Sequence, residues 1–189
     1  MKKQYDEDRG GIDTNTVGVY RTAATIKGGR RFSFSAMVVC GDRQGRVGLG
    51  YGKANQVPNA IEKAQKKAKR VMRKFPLTGT TIPHEVTGRF GACTVRLVPA
   101  SPGTGVIAGA AVRAILDLVG VQDCLSKAYG STNNKNLTKA VINGLSQLRS
   151  RETVQSLRKV ELEKTRTEQS QEAAPGVVEE EVSSEEASV

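Results

Sequence analysis

The chain is 189 residues long, room for one large domain or two small ones with tails, which excludes a large multidomain enzyme. Apolar residues make up 38% and aromatics 4%, so the core has to be mostly aliphatic, and a base-stacking platform is hard to assemble from four Tyr, four Phe and no Trp. The formal net charge is +10, yet residues 170–189 carry six Glu and no Lys or Arg, so the first 169 residues hold +16 and point to a polyanionic partner.

Residues 1–14 mix acids and bases with no apolar run, which fits a flexible N-terminus and neither a secretory signal nor a transit peptide. A first domain is expected over 15–76. From about residue 16 to residue 53, apolar alternation broken by glycine pairs predicts three strands in two hairpins. Phe32, Phe34, Ala36, Val38 and Cys40 would share one face of the middle strand, with Gly28-Gly29 and Asp42-Arg43-Gln44-Gly45 as the turns. Beyond Pro58 the period lengthens. Ile61, Ala64, Ala68, Val71, Met72 and Phe75 recur at three- and four-residue steps, predicting an amphipathic helix from Pro58 to Phe75 that Pro76 ends.

A second domain over 80–150 reads as β-β-α-β-α. Ile82, His84 and Val86 alternate in its first strand, and Cys93, Val95 and Leu97 in its second, before a glycine-rich loop from Pro99 to Gly105. Ala108, Ala111, Val112, Ile115 and Val119 stripe one helix, stopped by Gly120, and Leu137, Ala140, Val141, Leu145 and Leu148 stripe another. A charged helical extension is expected over 151–169, and an acidic disordered tail over 170–189. The predicted fold class is α+β: two small α/β-layer domains, β-β-β-α then β-β-α-β-α.

The densest chemical signal is the first helix, where Lys63, Lys66, Lys67, Lys69, Arg70, Arg73 and Lys74 accompany a single acid, Glu62. Solvated helices usually alternate sign for i,i+4 pairing; this one does not, so its polar face suits phosphates better than solvent alone. Four cations on phosphates imply a log-log salt slope of about −3, or roughly 60-fold weaker binding between 50 and 200 mM salt. At Lys27-Gly28-Gly29-Arg30-Arg31 three cations surround a hairpin tip, with Arg21 on the incoming strand, a shape able to enter an RNA groove or simply an exposed turn.

Two glycine runs invite nucleotide readings. Gly45 to Ala54 fails as a phosphate loop at Val47 and Ala54 and as a dinucleotide loop at Lys53, leaving flexible backbone at Gly50 and Gly52 beside Arg46 and Lys53 for approach to RNA, or a mere bend. Gly103-Thr104-Gly105-Val106-Ile107-Ala108 does match G-x-G-x-x-A, with Asp123 twenty residues on, but the chain is too short for a doubly wound sheet. Tight turning, or a helix start aimed at a phosphate or partner protein, explains it better. Tyr129 to Asn136 offers Asn133, Asn134 and Lys135 for RNA contact or helix capping, with Lys127 beside them.

Cys40, Cys93 and Cys124 are scattered with no C-x-x-C pair and read as buried thiols, not as a zinc site, and the lone His84 fits packing better than catalysis. No nucleophile is joined to a base by spacing, and the longest apolar stretch, Val106 to Val112, is far short of a membrane span. No catalytic residue, metal, cofactor, small-molecule substrate or membrane contact is therefore expected, and the location expected is the cytoplasm.

Lys27-Gly28-Gly29-Arg30-Arg31-Phe32-Ser33-Phe34 and Gly45 to Ala54, followed in order by Pro99 to Gly109 and Lys127 to Asn133, resemble bacterial small-subunit ribosomal protein five, over about residues 12–150. The resemblance implies a first domain related to double-stranded RNA-binding modules, Lys66-Lys67-Ala68-Lys69 being similar to their basic helix start. It implies a structural protein that binds small-subunit ribosomal RNA, neighbours small-subunit proteins four and eight, and shapes the path by which messenger RNA enters and the accuracy of decoding. By position, Lys27 to Arg30 match a loop into the RNA, and Gly105 and Arg113, with Gly103 beside them, match the interface with protein four. The acidic residues at both ends depart from the family pattern. A free-standing regulator that binds RNA duplexes is the alternative, and an enzyme using the Gly103 to Ala108 loop stands third.

Overall fold

The computed structural model describes residues 11–159. The expected N-terminal segment therefore lies mostly, and the acidic tail wholly, outside the described residues. The first domain runs β1 (Asp13–Ile26), β2 (Gly29–Gly41), β3 (Arg46–Ala54), α1 (Val57–Arg70) and β4 (Arg73–Lys74), its antiparallel sheet ordered β1-β2-β3-β4. The second runs β5 (Val86–Phe90), β6 (Cys93–Pro99), β7 (Val106–Ile107), α2 (Ala110–Val119), β8 (Cys124–Gly130), α3 (Asn134–Leu145) and α4 (Arg151–Arg158). Its sheet is ordered β5-β6-β8-β7, with only β7 parallel to its neighbour. The predicted α+β order is present, with β4 and β7 added; α4 falls at the start of the charged helical extension expected over 151–169, whose residues 160–169 lie outside the described residues.

β3 pairs with β2 only from Phe34 to Gly41, so the outer part of the β1–β2 hairpin is a two-stranded ribbon projecting past the sheet. That corrects the expectation for Phe32. It shares a face with the buried Ala36, Val38 and Cys40, but it lies on the ribbon beyond the cover of α1 and is 45% exposed.

α1 packs on the sheet through Ala60, Ala64 and Ala68, all fully buried. Gly48, Gly50 and Gly52 of β3 lie beneath it, where a Cβ would overlap the carbonyl oxygens of Ala68, Ala64 and Ala60 respectively. Small residues on both elements let the helix backbone approach the strand closely. The helix ends at Arg70, five residues before the predicted end. Phe75 is committed elsewhere: its N–H donates to the Gly45 carbonyl (2.8 Å), its side chain enters the core of the other domain, and Pro76 disfavours helical geometry at residue 75. Arg73 and Lys74 instead pair with Val47 and Arg46.

The opposite face of the first sheet is covered by α2. Ala111, Val112, Ala114, Ile115, Leu116, Leu118 and Val119 are all buried, far more than one stripe, because α2 packs against β1, β2 and β3 as well as against α3. One apolar cluster therefore contains Val39, Val47 and Phe75 from the first domain with Val95, Leu97, Ile115 and Leu145 from the second. Backbone bonds reinforce the contact. The Arg43 and Gly45 N–H groups donate to the Leu118 and Val119 carbonyls (3.0 and 2.8 Å), satisfying the orphan acceptors at the end of α2, where Gly120 turns at φ 98°.

In the second domain Ile82 is buried and His84 exposed, and both precede β5; Pro83 between them cannot join a ladder as a donor. The His84 ring accepts the Arg149 N–H through Nε2 at 3.1 Å, so it is an exposed ring tied to the backbone and not a packed core residue. All three cysteines are buried and free, and burial pushes the Cys40 and Cys124 thiols up to about 11. Among the described residues no helix is long and apolar enough to cross a membrane, and no His, Cys, Asp or Glu group is arranged to hold a metal.

Candidate nucleic-acid interface

The cations of α1 divide cleanly from its packing face. Ala60, Ala64 and Ala68 point into the sheet, while Lys63, Lys66, Lys67, Lys69 and Arg70 are exposed, and none of the five takes part in a salt bridge among the described residues. Arg73 and Lys74 are exposed as well, but they stand on β4 and not on the helix. That displacement builds something periodicity does not show. The β3–β4 register sets Arg46 opposite Lys74, and Arg46, Lys69 and Lys74 line a groove of about 510 Å³ with Asp42, Ile12 and Met72. Asp42 spends its carboxylate locally: Oδ1 accepts the Gln44 and Arg46 N–H groups (2.8 and 3.0 Å) and Oδ2 lies 4.0 Å from the Arg46 guanidinium.

The hairpin turn is Lys27-Gly28, with Gly29 already paired to Ile26. Lys27, Arg30 and Arg31 are all exposed at this end of the ribbon. Arg21 lies with its guanidinium carbon 3.7 Å from the centre of the Phe32 ring, so an exposed aromatic and a cation form one stacked unit on the same face. Nothing in the sequence spacing pairs residues 21 and 32. The register does, because Arg21 opposes Phe34 and Ala23 opposes Phe32.

Other expected contacts are placed differently. Gly50 and Gly52 are buried in a regular strand under α1, so the expectation of flexible backbone open to RNA is corrected; they are glycine because the helix leaves no room for a Cβ. Lys53 is exposed at the end of that strand. Lys127 is exposed on the outer face of the second sheet, opposite Arg96, which is itself bonded to Glu85 at 2.7 Å. Asn133 caps α3, its side-chain oxygen accepting the Lys135 N–H at 3.1 Å, and Asn134 is exposed in the first turn. Lys135 has partners within the protein. Its ammonium sits 4.5 Å from the centre of the Tyr20 ring and 5.3 Å from that of Tyr51, so this half-buried residue links α3 to the first sheet.

Gly103 and Gly105 adopt φ values of 88° and 77° in a loop that precedes β7, so the glycine match does not run directly from strand to helix as a dinucleotide loop requires. Asp123 folds back onto that loop. Its Oδ1 accepts the Gly105 N–H at 2.9 Å, and this bond, with the Thr80 side chain next and the Gly103 and Thr104 N–H groups weaker, holds the carboxyl below its ordinary range. The position that a ribose-binding acid would occupy is therefore satisfied within the protein. Arg113 and Asp117, the charged residues of α2, form its exposed stripe. The Arg113 guanidinium donates to the Val106 carbonyl at 3.1 Å and borders a groove of about 720 Å³ shared with Arg43 and Gln122.

Comparison with known proteins agrees with this architecture. Residues 12–76 match the N-terminal domain of ribosomal protein S5, and residues 88–158 match its C-terminal domain. The small ribosomal subunit protein uS5 of Syntrophobacter fumaroxidans is 55% identical over 150 residues, covering 79% of this chain and 90% of its own length. Those of Rhodopirellula baltica and Psychromonas ingrahamii are 52% and 47% identical, covering 78% and 84% of this chain and 84% and 95% of their own lengths. With both domains matched in chain order and relatives matched over most of their length, the chain belongs to the ribosomal protein S5 family, a structural, non-enzymatic family of the small ribosomal subunit.

Proposed function

We propose that the first domain binds small-subunit ribosomal RNA through two cationic elements, the outer face of α1 with its neighbouring groove and the tip of the β1–β2 ribbon. The observation that carries this is the set of exposed cations on α1, free of salt bridges among the described residues, continued by Arg46 and Lys74 around one groove. Side chains of this kind meet phosphates without reading bases, so binding follows RNA shape. The ribbon, with Lys27, Arg30, Arg31 and the Arg21–Phe32 stack, reaches beyond the sheet into a junction or groove. Lys53 and Lys127 extend the positive surface. On the far side, Gly103, Gly105 and Arg113 form the surface for small-subunit protein four; protein eight, and the path by which messenger RNA enters, complete the surroundings in the cytoplasmic ribosome, where the protein contributes to assembly and to translational accuracy.

The test is sedimentation of the tagged chain from a lysate, before and after a salt wash, beside RNA binding by the isolated protein. Near one-to-one retention on small subunits is the expected result, with a log-log salt slope of about −3 that becomes shallower by about 2 when Lys66 and Lys67 are both replaced by Ala. A chain that stays at the top of the gradient while binding isolated duplexes would establish a free-standing regulator instead. A slope near zero would remove α1 from the interface.

A further inference from the structure

Asp123 is 4% exposed, the one buried carboxylate among the described residues, and the RNA-binding reading makes no use of it. Such a group is retained only when hydrogen bonds replace water. Here the shortest comes from the loop before β7, with the Thr80 side chain also favouring the charged form. Oδ1 accepts the Gly105 N–H at 2.9 Å, and the nearby Gly103 and Thr104 N–H groups favour the charged form more weakly, the Thr104 N–H itself donating to the Ser101 carbonyl at 3.2 Å. The main chain around Asp123 ties the same loop at both ends. The Thr81 hydroxyl donates to the Asp123 carbonyl at 2.7 Å and accepts the Ala100 N–H at 3.3 Å where the loop begins, while the Cys124 N–H donates to the Gly105 carbonyl at 3.2 Å where it ends.

What this holds is exposed. Ser101 to Thr104 face solvent, a Cβ at Gly103 or Gly105 would meet nothing within 4 Å, and no packing therefore presses the loop into shape from outside. The loop leads into Val106, whose carbonyl accepts the Arg113 guanidinium. We propose that Asp123 is the positioning residue of the Gly103–Gly105–Arg113 surface: its carboxylate holds the Gly105 N–H, sets the path into Val106, and so places Arg113 for its protein neighbour. The loop's glycines allow the turn; the acid selects it. This rests on the reading of that surface as a protein contact that influences decoding.

The experiment uses the full chain as the sole copy in cells and as purified protein. Asp123→Asn keeps the side-chain shape and one acceptor but removes the charge, Thr81→Val loosens the same loop from its other end, and Val95→Ala, in the core away from the loop, controls for lost stability. Amide exchange at Gly103 to Gly105 is expected to quicken at least tenfold in Asp123→Asn relative to Val95→Ala, and less in Thr81→Val. Stop-codon readthrough is expected to shift at least twofold in the direction set by Arg113→Ala, with salt-resistant retention on small subunits unchanged. Loop exchange that tracks the control, or readthrough that tracks it while Arg113→Ala shifts, overturns the role of Asp123 and leaves the surface reading standing. Readthrough unmoved by both Arg113→Ala and Asp123→Asn overturns the surface reading, and the positioning role with it.

Discussion

Two glycine-rich segments in this chain look alike as strings and are glycine for opposite reasons. In β3, Gly48, Gly50 and Gly52 have ordinary extended backbone, and what excludes a side chain is space: α1 lies so close that a Cβ would overlap its carbonyl oxygens. In the loop before β7, Gly103 and Gly105 have open space around them, and what favours glycine is conformation, with φ at 88° and 77°. One segment belongs to a packing seam under the cationic helix α1, the other to an exposed turn bonded to Asp123. A glycine run is therefore not by itself a phosphate loop, and the two requirements separate under mutation.

The largest expected effect is at the seam. Gly50→Val forces α1 off the sheet because the obstructing atoms are helix backbone, which cannot rotate aside; the expected loss is about 3 kcal/mol or more, a large share of ordinary domain stability. The buried Cys40 thiol, pushed up to about 11 by burial despite the opposing influence of Lys69, reports it: reaction with a thiol reagent at pH 8 is expected only in the variant. A stable Gly50→Val protein with Cys40 still protected would refute the close-approach account. Next comes Gly105→Ala, where the Cβ fits but the backbone is strained; about 1–2 kcal/mol is expected from the midpoint of urea denaturation, without thiol exposure under native conditions. Smallest is Gly28→Ala at the ribbon tip, which has neither a close neighbour nor a positive φ, and should change stability by less than about 0.5 kcal/mol. If Gly28→Ala cost as much as Gly105→Ala, backbone conformation would not be what distinguishes them.

Much of the fold was legible because it rests on local periodicity. The α3 stripe of Leu137, Ala140, Val141 and Leu145 is buried as spaced, and so are Cys93, Val95 and Leu97 on β6. The cations of α1 are exposed because Ala60, Ala64 and Ala68 turn them outward. Where periodicity misled, a partner distant in sequence intervened. Phe75 fits the helical period but is drawn into the core shared with α2; Phe32 fits the strand period but lies beyond α1; Lys135 looks like a free cation but meets rings from β1 and β3.

By itself the sequence determined the parts set by neighbours along the chain: an aliphatic α+β protein, a basic body, a hairpin with a cationic tip and a helix with one charged face. Hydrophobic spacing and charge are properties of a segment, and they survive whatever the segment packs against. Only the tertiary structure decided which glycines serve space and which serve conformation, that α2 is wrapped by both domains, and that Asp123 answers its own glycine loop. Each of those depends on two segments meeting at hydrogen-bond or van der Waals distance, and no one-dimensional pattern encodes where the chain returns to itself.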